Sequence, residues 1–159
     1  MIRSMHKTEI SACTALIRTS FATVAAEFGI TAENAPRFTA FAVTDERLAW
    51  QFDEGRPMRV YPEKDRIVGY YSLHRLEDGV WELNNLCVHP DCRHHGIGEA
   101  LLADCMEILR QSGGTLLQIG IVEENVRLRR WYESFGFVHT GTKKFDFFPF
   151  TCGYMERKL

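Results

Sequence analysis

Residues 93–98, Arg-His-His-Gly-Ile-Gly, lie between a strand-like run at 81–88 and a helix-like run at 99–109. The first N–H groups of a helix have no partner within the helix, and the helix dipole adds partial positive charge there. Glycines at 96 and 98 let a phosphate approach the backbone without a Cβ in the way. Arg93 adds a full charge and a two-pronged donor. The segment therefore predicts a site for a phosphate or a pyrophosphate.

The pattern Arg-x-x-Gly-x-Gly is weak by itself, because many loops use glycines only to shape a turn. Two other phosphate-binding patterns are excluded. A dinucleotide fingerprint needs a small residue three positions after Gly98, where this chain has Leu101. A Walker loop needs Gly-Lys-Ser or Gly-Lys-Thr, and the chain contains neither. An ordinary turn and an anion site both remain open on this segment alone.

A second segment, residues 125–137, places Tyr132 seven residues after Asn125. Seven residues make about two helical turns, so the two side chains lie on one face of a helix. Gly136 can end that helix in the left-handed conformation, and a strand is expected from Phe137.

Together these segments resemble the GCN5-related N-acetyltransferase (GNAT) superfamily. The resemblance rests on Leu-Cys-Val-His-Pro at 86–90, on the 93–98 loop, and on Asn125 followed by Tyr132-Glu133-x-x-Gly136-Phe137. These pieces lie in the superfamily's order and spacing across residues 80–137. The tail, residues 140–156, also looks like a bacterial subgroup of these enzymes. The resemblance implies an acyl-CoA N-acyltransferase fold, with a mostly antiparallel central sheet flanked by helices.

The resemblance further implies that the anion is the pyrophosphate of acetyl-CoA, with the cofactor arm beside a strand that splays from its neighbour. The implied cofactor-binding residues are Leu86, Cys87, Val88, Arg93, His94, His95, Gly96, Ile97, Gly98, Glu99 and Asn125. A backbone N–H near Cys87 or Val88 would polarise the thioester carbonyl. Asn125 would hydrogen-bond the cofactor arm, cap its own helix, or do both.

Tyr132 is the candidate general acid. A phenol with a pKa near 10 can protonate a departing thiolate with a pKa near 8.5 only if it is closely positioned. The alternative is a tyrosine packed between helix and sheet with its hydroxyl at the rim.

The candidate base departs from the resemblance. Many relatives carry a glutamate where this chain has Asn84, and an amide cannot take up a proton. Glu82 lies two residues earlier and, by strand alternation, on the same face. We therefore expect Glu82 to act as the base through a water, with a solvated strand carboxylate as the alternative.

Composition narrows the remaining possibilities. A chain of 159 residues with 45% hydrophobic and 12% aromatic residues fits one domain, residues 1–159, with a real core. A net charge of −2 argues against a nucleic-acid partner. We expect no membrane association, because no apolar run approaches the length of a membrane span and the N-terminus lacks an apolar signal core. Five cysteines without a Cys-x-x-Cys pair indicate a reduced, cytoplasmic protein, either a monomer or a homodimer.

Four side chains of metal-ligand type crowd the loop within seven residues: His89, Cys92, His94 and His95. A tetrahedral zinc site would need a distant second pair, which the chain lacks, so we expect no metal and a polar loop around phosphates.

The sequence says less about the amine that accepts the acetyl group. Four carboxylates near the expected second helix could attract a cationic amine, although surface charges are common there: Asp45, Glu46, Asp53 and Glu54. Several aromatic residues could line a pocket or simply fill the core: Trp50, Tyr70, Tyr71 and the phenylalanines of 145–150.

Hydrophobic periodicity predicts helices over 8–28, from after Thr44 to about Asp53, over 96–111, and from Asn125. Strands are expected at about 58–61, 66–75, 80–88, 115–122, 137–141 and 151–157. This order of helices, an antiparallel meander, and then alternating strands and helices predicts a mixed α/β domain.

Two functions remain open. The first is an acetyl-CoA-dependent N-acetyltransferase that acts on a primary amine of a small molecule or a peptide. The second is a noncatalytic acyl-CoA-binding sensor, which Asn84 suggests because it replaces the usual glutamate. Tyr132 favours the enzyme, because a pure binder has no need of a phenol at that position.

Overall fold

A computed structural model of the protein describes residues 1–159 and contains one seven-stranded sheet. The strands are β1 (Arg3–Ser4), β2 (Met58–Glu63), β3 (Arg66–Glu77), β4 (Val80–Val88), β5 (Leu116–Val122), β6 (Val138–Lys143) and β7 (Cys152–Lys158). Their order is β1-β2-β3-β4-β5-β7-β6, and only β4 and β5 pair in parallel. The expected mixed, mostly antiparallel sheet is confirmed.

The α-helices are α1 (Ile10–Glu27), α2 (Thr39–Ala42), α3 (Asp45–Asp53), α4 (Ile97–Gln111) and α5 (Val126–Ser134). Thr44, the residue before α3, caps the helix by accepting a hydrogen bond from the Arg47 N–H at 3.2 Å. No helix has the length and apolar character needed to cross a membrane.

All elements expected from periodicity are present, with ends displaced by no more than two residues. Periodicity misses β1 and α2, because segments of two and four residues are too short to show a repeat. β1 pairs with β2 at the edge of the sheet, and α2 follows the loop after α1.

Each face of the sheet buries its own hydrophobic cluster. Leu83 and Leu117 lie with α4 residues such as Leu101 and Cys105 on one face. On the other face, Tyr70 lies in a second cluster with residues of α1 and α3. Cys105 is fully buried in the first of these clusters.

A β-bulge in β4 decides which side chains face which layer. Tyr70 pairs with Cys87 and Ser72 pairs with Asn84, so β4 carries one extra residue between the two pairs. Asn85 takes up the irregularity with a φ of 55°, a left-handed value that asparagine tolerates better than most residues. The bulge therefore reverses the side-chain alternation: Leu83 packs toward α4, whereas Cys87 packs toward α1.

Candidate active site

A cavity of about 620 Å³ opens between α1, the end of β4, the start of α4 and α5. Eleven of the thirteen residues that the sequence marks for cofactor or catalysis line it: Leu86, Cys87, Val88, Arg93, His94, Gly96, Ile97, Gly98, Glu99, Asn125 and Tyr132. The other two, Glu82 and His95, lie outside its lining. The ring Nδ1 of His95 lies instead 3.3 Å from the Cys92 carbonyl oxygen.

The N-terminus of α4 opens into this cavity without a side-chain cap. Gly96 is the N-cap, with a φ of 84°, and the first helical hydrogen bond runs from the Ala100 N–H to the Gly96 carbonyl. The N–H groups of Ile97, Gly98 and Glu99 therefore have no partner inside the helix. A helix start of this kind attracts an anion, because free donors and the positive end of the dipole coincide.

The Arg93 guanidinium donates hydrogen bonds to three protein groups. Its Nε donates to the Val88 carbonyl at 3.2 Å, Nη1 to the Thr23 hydroxyl at 2.9 Å, and Nη2 to the Ser20 carbonyl at 3.0 Å. Burial lowers the pKa of Arg93 from its ordinary value, and the nearby charge of Arg127 adds to that effect. These bonds brace the loop against β4 and α1, and Arg93 lies in the lining of the cavity.

Asn125, the N-cap of α5, and Tyr132, within α5, face the same cavity. The Asn125 side-chain oxygen accepts a hydrogen bond from the Leu128 N–H at 3.2 Å, so its expected role as an N-cap is confirmed. After α5, Gly136 adopts the expected left-handed conformation, with a φ of 88°.

The Tyr132 ring is buried and packs edge-on against Trp131 and Phe137, with ring centroids 5.0 and 5.2 Å away. Burial, and to a smaller degree the thiols of Cys105 and Cys87, raises the pKa of Tyr132 above its ordinary value. The phenol therefore stays protonated at neutral pH and can act as a hydrogen-bond donor at the cavity wall.

The end of β4 has a free edge. The parallel pairing of β4 with β5 is confined to residues 80–82 and 116–118, so the two strands separate beyond Glu82. The His89 N–H donates to the Val68 carbonyl at 2.7 Å, on the β3 side. Because backbone groups alternate along a strand, the Val88 N–H points the other way, into the gap. The gap thus offers a fixed backbone donor beside the cavity.

A polar row crosses the sheet next to this gap. His74 pairs with Glu82, Glu82 with Gln118, and Gln118 with Glu156, on four adjacent strands. Residues paired in this way share a face of the sheet. Leu83, the neighbour of Glu82, packs toward α4, so the row lies on the opposite face.

Glu82 and Glu156 are the two partly buried carboxylates with neither a hydrogen bond nor an ion pair. The other partly buried carboxylates each have a partner: Glu9, Asp104, Glu107 and Glu123. Sequence reasoning finds Glu82 and misses Glu156, because only the sheet order β5-β7 brings Glu156 into the row. The alternation of side chains along β7 predicts which face of the sheet Glu156 occupies, but it does not predict which residues lie beside Glu156 on the neighbouring strands.

Three of the four carboxylates near α3 are already engaged by the protein. Asp45 accepts a hydrogen bond from Ser11, Asp53 pairs with Lys7, and Glu54 pairs with Arg56. Tyr70 and Tyr71 are fully buried in the core, whereas Trp50 is exposed and packs against Arg56. The attraction of a cationic amine by this helix is thereby weakened.

The described residues include no group of three or more His, Cys, Asp or Glu side chains placed to hold a metal ion. In the loop, His89 Nδ1 accepts a hydrogen bond from the Asp91 N–H at 3.1 Å, and His94 is exposed with a φ of 66°.

Comparison with known proteins agrees with this geometry. Residues 25–137 match the model of the acetyltransferase (GNAT) family. The chain belongs to the acetyltransferase (GNAT) family. Members of this family are acyltransferases that use acetyl-CoA as co-substrate.

Among curated GNAT proteins, the L-amino acid N-acyltransferase MnaT of Escherichia coli K12 is 30% identical over 110 residues, which cover 60% of each chain. The chain spans about half to three fifths of the length of the curated relatives it matches. The aligned part therefore supports the family and leaves the acceptor to be established.

Solved structures that resemble this chain include proteins with the cofactor bound. The Salmonella typhimurium protein yncA, with its cofactor acetyl-CoA, is 27% identical with a TM-score of 0.76, covering 100% of this chain and 93% of the other. The PaiA N-acetyltransferase of Thermoplasma acidophilum, in complex with coenzyme A, shares the fold with a TM-score of 0.82 at 18% identity, covering 100% and 98%. The uncapped start of α4 and the β4–β5 gap fit an anionic ligand with a long arm of this kind.

Proposed function

We propose that the protein transfers the acetyl group of acetyl-CoA directly to a primary amine of a small molecule or a peptide. One observation carries this proposal. A single cavity joins the uncapped N-terminus of α4 to the free edge of β4 and to the Tyr132 phenol. Anion binding, carbonyl orientation and proton donation thus lie within one continuous space.

In this proposal the backbone of the 93–98 loop and the first turn of α4 hold the pyrophosphate. The N–H groups of Ile97, Gly98 and Glu99 supply the donors, because no side chain competes for them. Arg93 contributes charge from the cavity wall and fixes the loop through its bonds to α1. His94 lies at the cavity lining beside this loop, and His95 lies outside it.

The arm of the cofactor then runs beside Leu86, Cys87 and Val88 at the free edge of β4. Asn125 uses its side-chain oxygen for the helix cap, which leaves its amide N–H groups free to donate to the arm. The cofactor supplies an acetyl thioester, and the Val88 N–H is placed to donate to its carbonyl oxygen. A fixed donor of this kind stabilises negative charge as it develops.

Tyr132 donates a proton, or a strong hydrogen bond, from its hydroxyl to the departing sulfur. Burial keeps the phenol protonated across the neutral range, since its pKa is raised. The pKa of a free thiol is near 8.5. The donor must therefore act while the bond to sulfur breaks, when the sulfur is close and held in place.

The acceptor amine approaches on the open face of the sheet, where Glu82 and Glu156 are unpaired. Glu82 takes the amine proton through a water, and Asn84, on the same face two residues later, orients that water. The free carboxylates also favour a positively charged amine over a neutral or acidic group. We include a cytoplasmic location in the proposal, because all five cysteines are free thiols.

The test is an amine panel with two simultaneous readouts: release of free coenzyme A thiol and mass detection of the acetylated product. The panel contains L-amino acids, because of the relative in Escherichia coli, together with diamines and short peptides. Amine-dependent thiol release with matching product supports the transferase. A raised melting temperature with acetyl-CoA, but no product from any amine, would instead identify the noncatalytic sensor.

A further inference from the structure

The cofactor cavity carries an ion pair that the proposed chemistry does not use. Arg127 of α5 donates from Nη2 to both carboxylate oxygens of Glu27 on α1, at 3.2 and 3.0 Å. The two residues are 100 positions apart in the chain, and both line the cavity. Their side chains are 80% and 47% exposed, so the pair lies at the rim.

Both members stand at the unfavourable end of their helix. Glu27 is the last residue of α1, where the dipole presents partial negative charge, and that turn holds no basic residue. Arg127 lies in the first turn of α5, where the dipole is positive and no acidic residue compensates. An exposed ion pair stabilises a fold only weakly. The stability of the fold therefore does not explain these two positions.

The position of Arg127 does suit an anionic ligand. Its charge lies close enough to Arg93 to lower the pKa of that guanidinium, so the cavity holds two neighbouring cations. Arg93 is committed to Val88, Thr23 and Ser20, whereas the protein partner of Arg127 is the exposed Glu27 alone. Arg127 is thus the cation of this cavity that can change partners.

We propose that Arg127 and Glu27 form a clasp at the rim, in which Arg127 exchanges the Glu27 carboxylate for a phosphate of the arriving cofactor. A phosphate carries more charge than a carboxylate and accepts the same paired N–H donors. Glu27 competes with the cofactor for Arg127 and, once released, repels the phosphates. This inference rests on the proposed placement of acetyl-CoA in the cavity.

The clasp makes a prediction that an ordinary ion pair does not make, namely opposite effects of its two members. Glu27→Gln frees Arg127 and is expected to tighten coenzyme A binding about two- to fivefold. Arg127→Gln is expected to weaken binding by a similar factor of about two to five. In the double variant, most of the gain from Glu27→Gln is lost, because the cation that profits from it is absent.

The measurement is the dissociation constant of coenzyme A by isothermal titration calorimetry at low ionic strength, where exposed charges are least screened. Pantetheine, which has no phosphate, serves as a second probe and is expected to bind all variants equally. Asp53→Asn, which breaks the exposed Lys7–Asp53 pair outside the cavity, is the matched control. Melting temperatures establish that each variant folds.

Equal weakening by Glu27→Gln and Arg127→Gln would overturn the clasp and identify a passive wall of the cavity. Unchanged affinity in both variants would also overturn the clasp and identify a surface ion pair only. A different result would show that the proposed placement of acetyl-CoA, and not only the clasp, is wrong. In that case wild type does not bind coenzyme A, or Gly98→Val, which alters the cavity wall at the α4 start, binds it as wild type does.

Discussion

At the scale of single residues, Tyr132 combines two opposing effects of burial. Burial raises the pKa of its phenol. The raised pKa makes the phenol a weaker acid but keeps it protonated throughout the neutral pH range. The ring is held by Trp131 and Phe137, so the hydroxyl can be removed without loss of these contacts. This separation of packing from chemistry makes Tyr132→Phe an informative change.

We expect Tyr132→Phe to lower turnover by about 10²–10⁴-fold and to leave coenzyme A affinity nearly unchanged, as for the loss of a general acid. Steady-state rates and calorimetric titration on one preparation measure both quantities. Turnover equal to wild type, with chemistry shown to limit the rate, contradicts the acid role.

Glu82 and Glu156 present a choice between two free carboxylates in one row. If Glu82 is the base, Glu82→Gln lowers the rate most strongly below the pKa of the substrate amine, because a base matters only while the amine carries its proton. Glu156→Gln, the matched control, is expected to keep the wild-type pH profile. The measurement is the pH dependence of kcat/KM for all three proteins.

Two outcomes would remove Glu82 from the mechanism. If its profile superimposes on wild type after scaling, the amine arrives neutral and needs no base. If Glu156→Gln shows the larger loss at low pH, the proton goes to the neighbouring strand instead.

Among the secondary-structure elements, the start of α4 packs against α5 and the end of β4. A Cβ on Gly98 would lie 3.4 Å from the Trp131 ring and 3.8 Å from Val88, so α4, α5 and the end of β4 meet at this glycine. β4 separates from β5 beyond Glu82, and the β-bulge of β4 lies in this separated stretch. The site is therefore a junction of three elements.

Gly98→Val is expected to abolish the thermal shift that wild type shows with acetyl-CoA. A ligand that binds only the native state raises stability by about 2.7 kcal/mol at a hundredfold excess over its dissociation constant. Gly141→Val is the control, because a Cβ there meets no atom within 4 Å. A thermal scan with and without millimolar acetyl-CoA measures the effect; an equal shift in Gly98→Val would falsify the site.

In the whole molecule, one partly buried charge network ties α4 to strands β2 and β3. Asp104 on α4 accepts hydrogen bonds from Arg59 at 2.9 Å and from the Tyr71 hydroxyl at 2.6 Å. Burial raises the pKa of Asp104, but the bonds from Arg59 and Tyr71 outweigh it, so the net pKa is lowered. The network thus holds the helix that carries the anion site onto β2 and β3.

Because its pKa is lowered in the folded state, Asp104 contributes stability above its unfolded pKa and loses it as pH falls through the folded pKa. Asp104→Asn is expected to cost about 1–3 kcal/mol at neutral pH, since Arg59 and Tyr71 lose a charged partner. It is also expected to reduce the stability lost between neutral and acidic pH. Urea unfolding at both pH values tests this.

Asp78→Asn is the control for that experiment, because the Arg75–Asp78 pair is fully exposed at the aspartate. Surface pairs of this kind contribute little. A loss as large in Asp78→Asn as in Asp104→Asn would contradict the role given to the network.

The parts of the site that depend on local backbone conformation could be predicted from the amino-acid sequence. The glycines at 96 and 98, the helix start after them, and the Asn125–Tyr132 spacing are fixed by backbone conformation and helical period within a few residues. The long helices and strands follow from hydrophobic periodicity for the same reason. The fold class and eleven of the twenty cavity-lining residues were accordingly predictable.

Contacts between distant segments could not be predicted, because they arise from how the elements pack together. Arg93 meets Thr23 from 70 positions away, and Arg127 meets Glu27 across 100. Glu156 joins the row of Glu82 because β7 lies between β5 and β6. A side chain's partner depends on strand order and on a bulge that reverses the alternation of β4, and neither has a local signal in the chain.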